Sequence, residues 1–272
     1  MSDQQQVEGK ITWHWQTWEG LSYLTCSLLK KWPHGFFTQQ FSPQGPVELV
    51  EILRPNVPAY RIKQVHGNSV LKTTEAVSIS QESEGTYREA DGLLSEKPEE
   101  AVWVCSADCV PVLIADSESG QVAAVHAGWR GTAAKIVPEA IARFSSSGSR
   151  LSNLLVVLGP AISGEVYQVS EEVAAKVGAT ITPNHLHGTN ENILGFLRQL
   201  PDSPLLSDPE PGKVRLDVRR VNVLQLEQLG IDPSQVAIAP YCTYQDKFYF
   251  FSYRRLQQKK VQWSGIVSVE AS

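Results

Sequence analysis

The residues of this chain predict a globular fold that mixes β-strands with α-helices, and three observations carry that expectation. Residues 107–131, ADCVPVLIADSESGQVAAVHAGWRG, read as two apolar strands around a tight turn at 117–120, then the mouth of a helix. Short apolar runs, AVWVCS at 101–106 and LLVVL at 154–158, have the length and composition of buried strands. Amphipathic runs at 132–144 and 216–229 keep helical spacing, and Gly230 closes the second.

At 272 residues, 42% hydrophobic and 19% charged, the chain is long enough to bury a core without disulfides. A net charge of −5 argues against a nucleic-acid surface but leaves room for a local basic pocket that takes a small anion. No apolar run approaches the ~18 residues of a membrane span. The start, MSDQQQVEGK, lacks the basic and apolar regions of a signal peptide, so a cytoplasmic location is expected. Cys26, Cys105, Cys109 and Cys242 suit that compartment as free thiols. There is no repeat, low-complexity tract or clear domain boundary.

In chain order, residues 11–18 alternate apolar and polar as a strand that includes His14. Apolar order continues at 21–29, and residues 33–38 turn into a strand or loop. His34 there is expected to be a solvated turn histidine rather than a ligand. Residues 47–53 fit helix or strand and end before Pro55 and Pro58. Residues 60–70 read as strand, tight turn, strand, placing His66 at a rigid edge before Gly67. Residues 80–89 read as a polar loop, and Asp91-Gly92 as a turn. Cys105 is four residues before Cys109, but Asp108 interrupts the run, which makes Cys105 a small apolar filler.

Gly131-Thr132 is a plausible helix cap, and Pro138 kinks or restarts the helix. Free N–H groups at that helix start form a reasonable anion site. The glycine-rich loop 159–164 is able to approach a ligand closely. Ser170 caps a helix that runs to 177. Residues 182–213 are read as a polar surface excursion in which His185 and His187 are solvated. A short strand follows at 236–238. Residues 248–255, FYFFSYRR, read as an aromatic strand ending in Arg254 and Arg255, which serve either an anion or surface salt bridges. Residues 266–269 read as a final edge strand.

The chemistry centres on the hairpin. Cys109 and His126 lie at comparable distances from its turn, so antiparallel pairing brings them together at one end of the ladder. A thiol and an imidazole so placed form either part of a metal site or a nucleophile–base pair.

Several spaced motifs are similar to the laccase-domain, YfiH-type purine nucleoside phosphorylase family, formerly labelled polyphenol oxidase. They are QVHGNSV at 64–70, ADGLLS at 90–95, ADCVPVLIAD at 107–116, AAVHAGWRGT at 123–132, GPAISGEVYQV at 159–169 and FFSYRR at 250–255. The resemblance implies a single α+β domain over 1–272, with mixed β-sheets flanked by helices in layers α/β/β/α. It also implies that His66, Cys109 and His126 hold a zinc ion. One thiolate and two imidazoles suit Zn²⁺ and leave one position open. Family members often carry a cysteine where this chain has Ala161, so that cysteine is not needed as a ligand.

The activity implied is phosphorolysis of adenosine, inosine or methylthioadenosine to base and sugar 1-phosphate, with companion adenosine deamination. Arg130, Arg254, Arg255 and Gln64 are the candidate contacts to phosphate or substrate. Cys109, His126 and Asp108 are the candidate catalytic group. Asp108 either accepts an imidazole N–H or is simply a turn residue. Three alternatives compete: a Cys–His hydrolase or amidase acting on peptidoglycan precursors, a copper-dependent polyphenol oxidase, and a non-catalytic zinc-stabilised binding module. The oxidase needs on the order of ten histidines, and the chain has six.

Overall fold

A computed structural model describes residues 11–76, 78–79 and 87–271, so most of the expected loop at 80–89 lies outside the described residues. The alternating aromatics at the start form β1 (Trp13–Trp18), which turns at Glu19-Gly20 into β2 (Leu21–Cys26). Both turn residues have positive φ, as tight hairpins of right-twisted strands require. β3 (His34–Phe37) follows, then α1 (Pro46–Leu53). Pro46 opens that helix, and the Glu48 carboxylate accepts from the Gly45 N–H. β4 (Ala59–Tyr60), β5 (Val70–Lys72), β6 (Gly92–Leu94) and β7 (Ala101–Ser106) lead to the central hairpin. Its strands, β8 (Val110–Asp116) and β9 (Val122–Ala127), are buried at every residue.

Beyond the hairpin come α2 (Trp129–Ala133), α3 (Ile136–Ser146), β10 (Leu154–Leu158), β11 (Gln168–Ser170) and α4 (Glu171–Gly178). The chain continues through α5 (Asn190–Gln199), β12 (Leu205–Ser207), β13 (Lys213–Leu216) and α6 (Val218–Leu229). It ends with β14 (Val236–Ile238), α7 (Tyr253–Leu256) and β15 (Gln262–Val267). The Ser170 hydroxyl accepts from Val173 N–H at the start of α4, as expected. Asp217 caps α6, and Gly230 ends it at positive φ.

The strands make two six-stranded mixed sheets, β1-β2-β3-β15-β7-β4 and β14-β10-β8-β9-β6-β5, and a three-stranded sheet β11-β13-β12. Period-two alternation gives each large sheet two apolar faces. Val102, Val104 and Ile266 of the first meet Leu113, Ala124 and Val157 of the second in one cluster. The second sheet's far face packs Val112, Ile114 and Val156 against α3, α4 and α6. The first sheet's far face packs Trp103 and Val267 against Leu49 and Val50 of α1. The expected α+β domain with mixed sheets flanked by helices is the fold observed. Among the described residues, no helix is long and apolar enough to cross a membrane.

Several local expectations are corrected. The strand read at 60–65 is regular only at β4, because beyond Tyr60 the backbone pairs through one isolated bridge, Lys63 to Glu89. The helix after the hairpin begins earlier than expected and is broken at Ala134-Lys135. Lys135 has φ +60, and Pro138 falls in the first turn of α3, where a missing N–H costs nothing. A five-residue α2 has little dipole to offer an anion. The 182–213 excursion contains α5, whose Ile193, Leu194 and Leu197 are buried, and β12 of the third sheet. Residues 248–251 are not a strand: Tyr249 stacks on Trp15 at 4.3 Å and Phe250 is buried, so the aromatics anchor a loop. Arg254 and Arg255 then fall in α7. β15 is an interior strand between β3 and β7, not an edge. His34 is buried, with Nε2 accepting from Cys26 N–H and Nδ1 bonded to the Trp32 carbonyl.

The glycine-rich loop approaches protein, not open space. A Cβ on Gly159 would meet the Phe36 ring at 2.2 Å. Gly159→Ala is therefore expected to destabilise by about 1–3 kcal/mol through overpacking. The urea midpoint measures this, and an unchanged midpoint would refute the packing account.

Candidate metal centre

The register of the hairpin sets the centre. Val110 pairs with Ala127 and Pro111 with His126, so Cys109, one residue before β8, meets His126 at the end of β9. His66 arrives from the irregular segment between β4 and β5. The ligand atoms of His66, Cys109 and His126 all lie within 4.8 Å of one another. The two imidazoles meet edge to face with centroids 4.9 Å apart. His66 is exposed, Cys109 intermediate and His126 buried, so the group opens to solvent on the His66 side.

Asp91, which sequence reading left as a turn residue, ties this arrangement together. It is fully buried at the start of β6. Its carboxylate accepts from the backbone N–H of Val65, His66 and Gly67 and from His126 Nδ1, at 3.2, 2.9, 2.7 and 2.9 Å. Burial raises the Asp91 pKa, but these hydrogen bonds outweigh it and hold the group below the usual carboxylate range. With Nδ1 engaged, His126 presents Nε2 to the shared point, an arrangement common to metal-ligating histidines. The acceptor for the imidazole is thus Asp91 and not Asp108. Asp108 instead accepts from the Thr243 hydroxyl and the Arg254 N–H, both at 2.7 Å. The only local sign of Asp91 was its place in ADGLLS, directly before a buried strand.

Two non-glycine residues at the centre have left-handed backbones, His66 at φ +61 and Asp108 at φ +100. Such strain costs of order 1–3 kcal/mol each and persists only where surrounding contacts impose it. The contacts here are the three N–H bonds to Asp91 and the two bonds to Asp108. Gly128 keeps the front of the thiol clear, since a Cβ there would lie 2.7 Å from Cys109 Sγ. The donor set and this cradle together fit a borderline-soft metal ion.

The other candidate residues divide. Gln64 pairs both amide atoms with the Cys105 backbone, Nε2 donating to the carbonyl and Oε1 accepting from the N–H at 2.8 Å. It clamps the His66 segment to β7, which is a positioning role. Arg255 donates to the carbonyls of Thr243, Tyr244 and Phe250 and so ties down the loop before α7. Arg254 donates to the Gln168 carbonyl and stacks on the Tyr167 ring at 4.8 Å. Arg130 is exposed and stacks on Trp129 at 4.4 Å. Neither Arg130 nor Arg254 has a carboxylate partner among the described residues. Cys105 stays outside the metal group.

Burial would raise the Cys109 pKa, but hydrogen bonds from His126 and His66 reverse this and bring it down to about 6. His126 moves the other way: burial lowers its pKa, and the bonds to Asp91 and Cys109 raise it to about 9. Burial pushes the Cys105 thiol up to about 11. Tyr167 is likewise raised to about 12, first by burial and then by the Cys109 charge.

A family model described as multi-copper polyphenol oxidoreductase laccase matches residues 48–268. A purine nucleoside phosphorylase of Synechocystis is 50% identical over 260 residues, 96% of this chain and 98% of the relative. One of Bacteroides thetaiotaomicron is 33% identical over 198 residues, 71% of this chain and 66% of its own. The solved structure of YlmD from Geobacillus stearothermophilus has a TM-score of 0.75 at 24% identity, covering 94% of this chain and 99% of that one. A Bacillus licheniformis protein, YfiH, has a TM-score of 0.73 at 24% identity over the same shares. These two likenesses are of fold.

The thiol environments set a measurable order of reactivity. The thiolate is the species that alkylates, and it forms as pH rises through the pKa. In metal-free protein, iodoacetamide is expected to label Cys109 with a half-maximal rate near pH 6 and to spare Cys105 at pH 8. Peptide mapping measures this, and preferential labelling of Cys105 would contradict the assigned environments.

Proposed function

From the premise that the chain belongs to the multi-copper polyphenol oxidoreductase laccase family, with relatives named purine nucleoside phosphorylases, we propose that it is a zinc-dependent purine nucleoside phosphorylase. One observation carries the reading: the cavity lined by Cys109 of the three-donor group also has Trp129 and Tyr167 in its wall, under the guanidinium groups of Arg130 and Arg254, neither of which pairs with a carboxylate among the described residues. The proposed substrates are adenosine, inosine or methylthioadenosine together with phosphate. Adenosine deamination is the companion activity, and the cytoplasm is the place of work.

His66, Cys109 and His126 would hold the ion, which would supply a Lewis acid at the open side of the group. The chain's own residues do the rest. Asp91 orients the His126 imidazole and fixes the backbone that carries His66. Arg130 and Arg254 hold the phosphate through planar guanidinium forks. An oxygen of hydrogen phosphate bonds to the anomeric carbon of the sugar as the bond to the purine nitrogen breaks, and the proton that the phosphate gives up ends on the departing purine. Asp108 fixes the backbone of Arg254 and so places that fork.

A second reading has one observation behind it: the lowered Cys109 and raised His126 together describe a thiolate–imidazolium pair suited to a Cys–His hydrolase. Chelation separates the two, because phosphorolysis is lost with the metal while a cysteine hydrolase survives without it.

Native protein is expected to contain about one zinc per chain. His66→Ala is expected to abolish binding, and Asp91→Asn to weaken it about 10–100-fold in chelator competition. Copper retained in the His66→Ala protein would overturn the zinc assignment. Inosine with phosphate is expected to yield hypoxanthine and ribose 1-phosphate. Equal loss of inosine with and without phosphate would sink phosphorolysis.

A further inference from the structure

Cys109 of the metal group lines a small cavity whose wall also includes Asp108, Gly128, Trp129 and Tyr167. Tyr167 is not among the residues singled out from the sequence. Backbone bonds hold it in place on both sides: its N–H donates to the Ser163 carbonyl, and its carbonyl accepts from the Leu216 N–H. Its ring is half-buried, yet its hydroxyl has no hydrogen-bond partner among the described residues. That hydroxyl is not among the fully buried polar atoms, so it is accessible to a ligand.

The surroundings say what kind of partner suits it. The Arg254 guanidinium stacks on the ring at 4.8 Å. The Arg130 charge also acts on the phenol, and Cys109 and Asp108 act on it in the opposite sense. Both carboxylate oxygens of Asp108 are already engaged, by Thr243 and by the Arg254 N–H. A sugar hydroxyl gains less here than an acceptor-only oxygen, because the neighbourhood offers donors and cations. Arg255 is excluded from the same task by the three carbonyls it already serves.

We propose that Tyr167 is a phosphate-binding residue whose hydroxyl donates to an oxygen of the phosphate held by Arg254 and Arg130. The inference rests on the phosphorolytic reading of this site and adds a neutral donor to its two cations. Arg254 and Tyr167 act as one edge: Asp108 fixes the arginine's backbone, and the tyrosine ring fixes the plane of its guanidinium. The phenol stays protonated, so it contributes a hydrogen bond and no charge.

Binding of inorganic phosphate to zinc-loaded wild-type and Tyr167→Phe protein, read by titration calorimetry, tests this separately from turnover. Removing a hydrogen bond to a charged group is expected to weaken phosphate binding about tenfold or more. The KM for phosphate should rise by the same factor, while the KM for inosine, the zinc content and the melting temperature stay unchanged. Equal phosphate affinity in the two proteins would overturn the inference, as would a wild type that cleaves inosine without binding phosphate. Weaker phosphate binding by the variant, combined with inosine loss that ignores phosphate, would leave Tyr167 an anion contact and remove the phosphorolytic reading.

Discussion

The centre depends on one buried carboxylate. Asp91 has no exposure to solvent, and burying an unpaired carboxylate costs several kcal/mol. Four N–H donors offset that cost, three from the segment bearing His66 and one from the His126 ring. The backbone of Asp91 is engaged as well: its N–H donates to Ser69 and its carbonyl accepts from His126 N–H. One residue therefore joins an irregular segment to a sheet strand, orienting the His126 imidazole and fixing the backbone of His66, sixty positions apart in the chain. Because β6 starts immediately after Asp91 and pairs with β9, the sheet register itself places the carboxylate. A slip of one residue would put every side chain of the strand on the wrong face and dismantle the centre.

A second carboxylate does the corresponding work for the other side of the site. Asp108, at φ +100, closes the stretch between β7 and β8 and reaches the C-terminal segment through Thr243 and the backbone of Arg254. That segment has no ladder of its own. It is held by aromatic packing on β1, by the bonds of Arg255 to its carbonyls and by Asp108. The strain stored at His66 and Asp108 is thus placed where the chain must leave regular structure to bring ligands and cations to one point.

These two carboxylates also show why parts of the site were legible in the sequence and others were not. Cys109 and His126 could be paired by counting residues from a turn, since strand geometry alone makes that inference. His66 could not be reached this way, and only the resemblance of QVHGNSV to a known family joined it to the pair. Asp91-Gly92 carries only a local turn signal, whereas its carboxylate is enclosed by the distant 65–67 segment and by His126 of β9. FYFFSYRR misled for a similar reason: alternating aromatics suit a strand and an anchored loop equally well. The order of strands within a sheet has no local signature either, which is why the last strand was expected at an edge and lies in the interior. In 182–213 the polar composition hid a helix whose buried Ile193, Leu194 and Leu197 fall on one face.

The same geometry bears on the family's description as a multi-copper oxidoreductase. A blue-copper site with a three-copper cluster needs on the order of ten histidines drawn together. This chain has six, and among the described residues only His66 and His126 share a metal-competent group. His14 bonds to Thr12 on an exposed strand, and both ring nitrogens of His34 are already engaged inside the protein. His185 and His187 lie in the 184–187 turn, where His187 bonds to the Thr182 carbonyl. None of these four belongs to the three-donor group, and they sit on three other segments, β1, β3 and the 184–187 turn. Among the described residues a single three-donor group remains, with His66 as its exposed member, and Arg130 and Arg254 lie over Trp129 and Tyr167, two rings that share a cavity wall with Cys109.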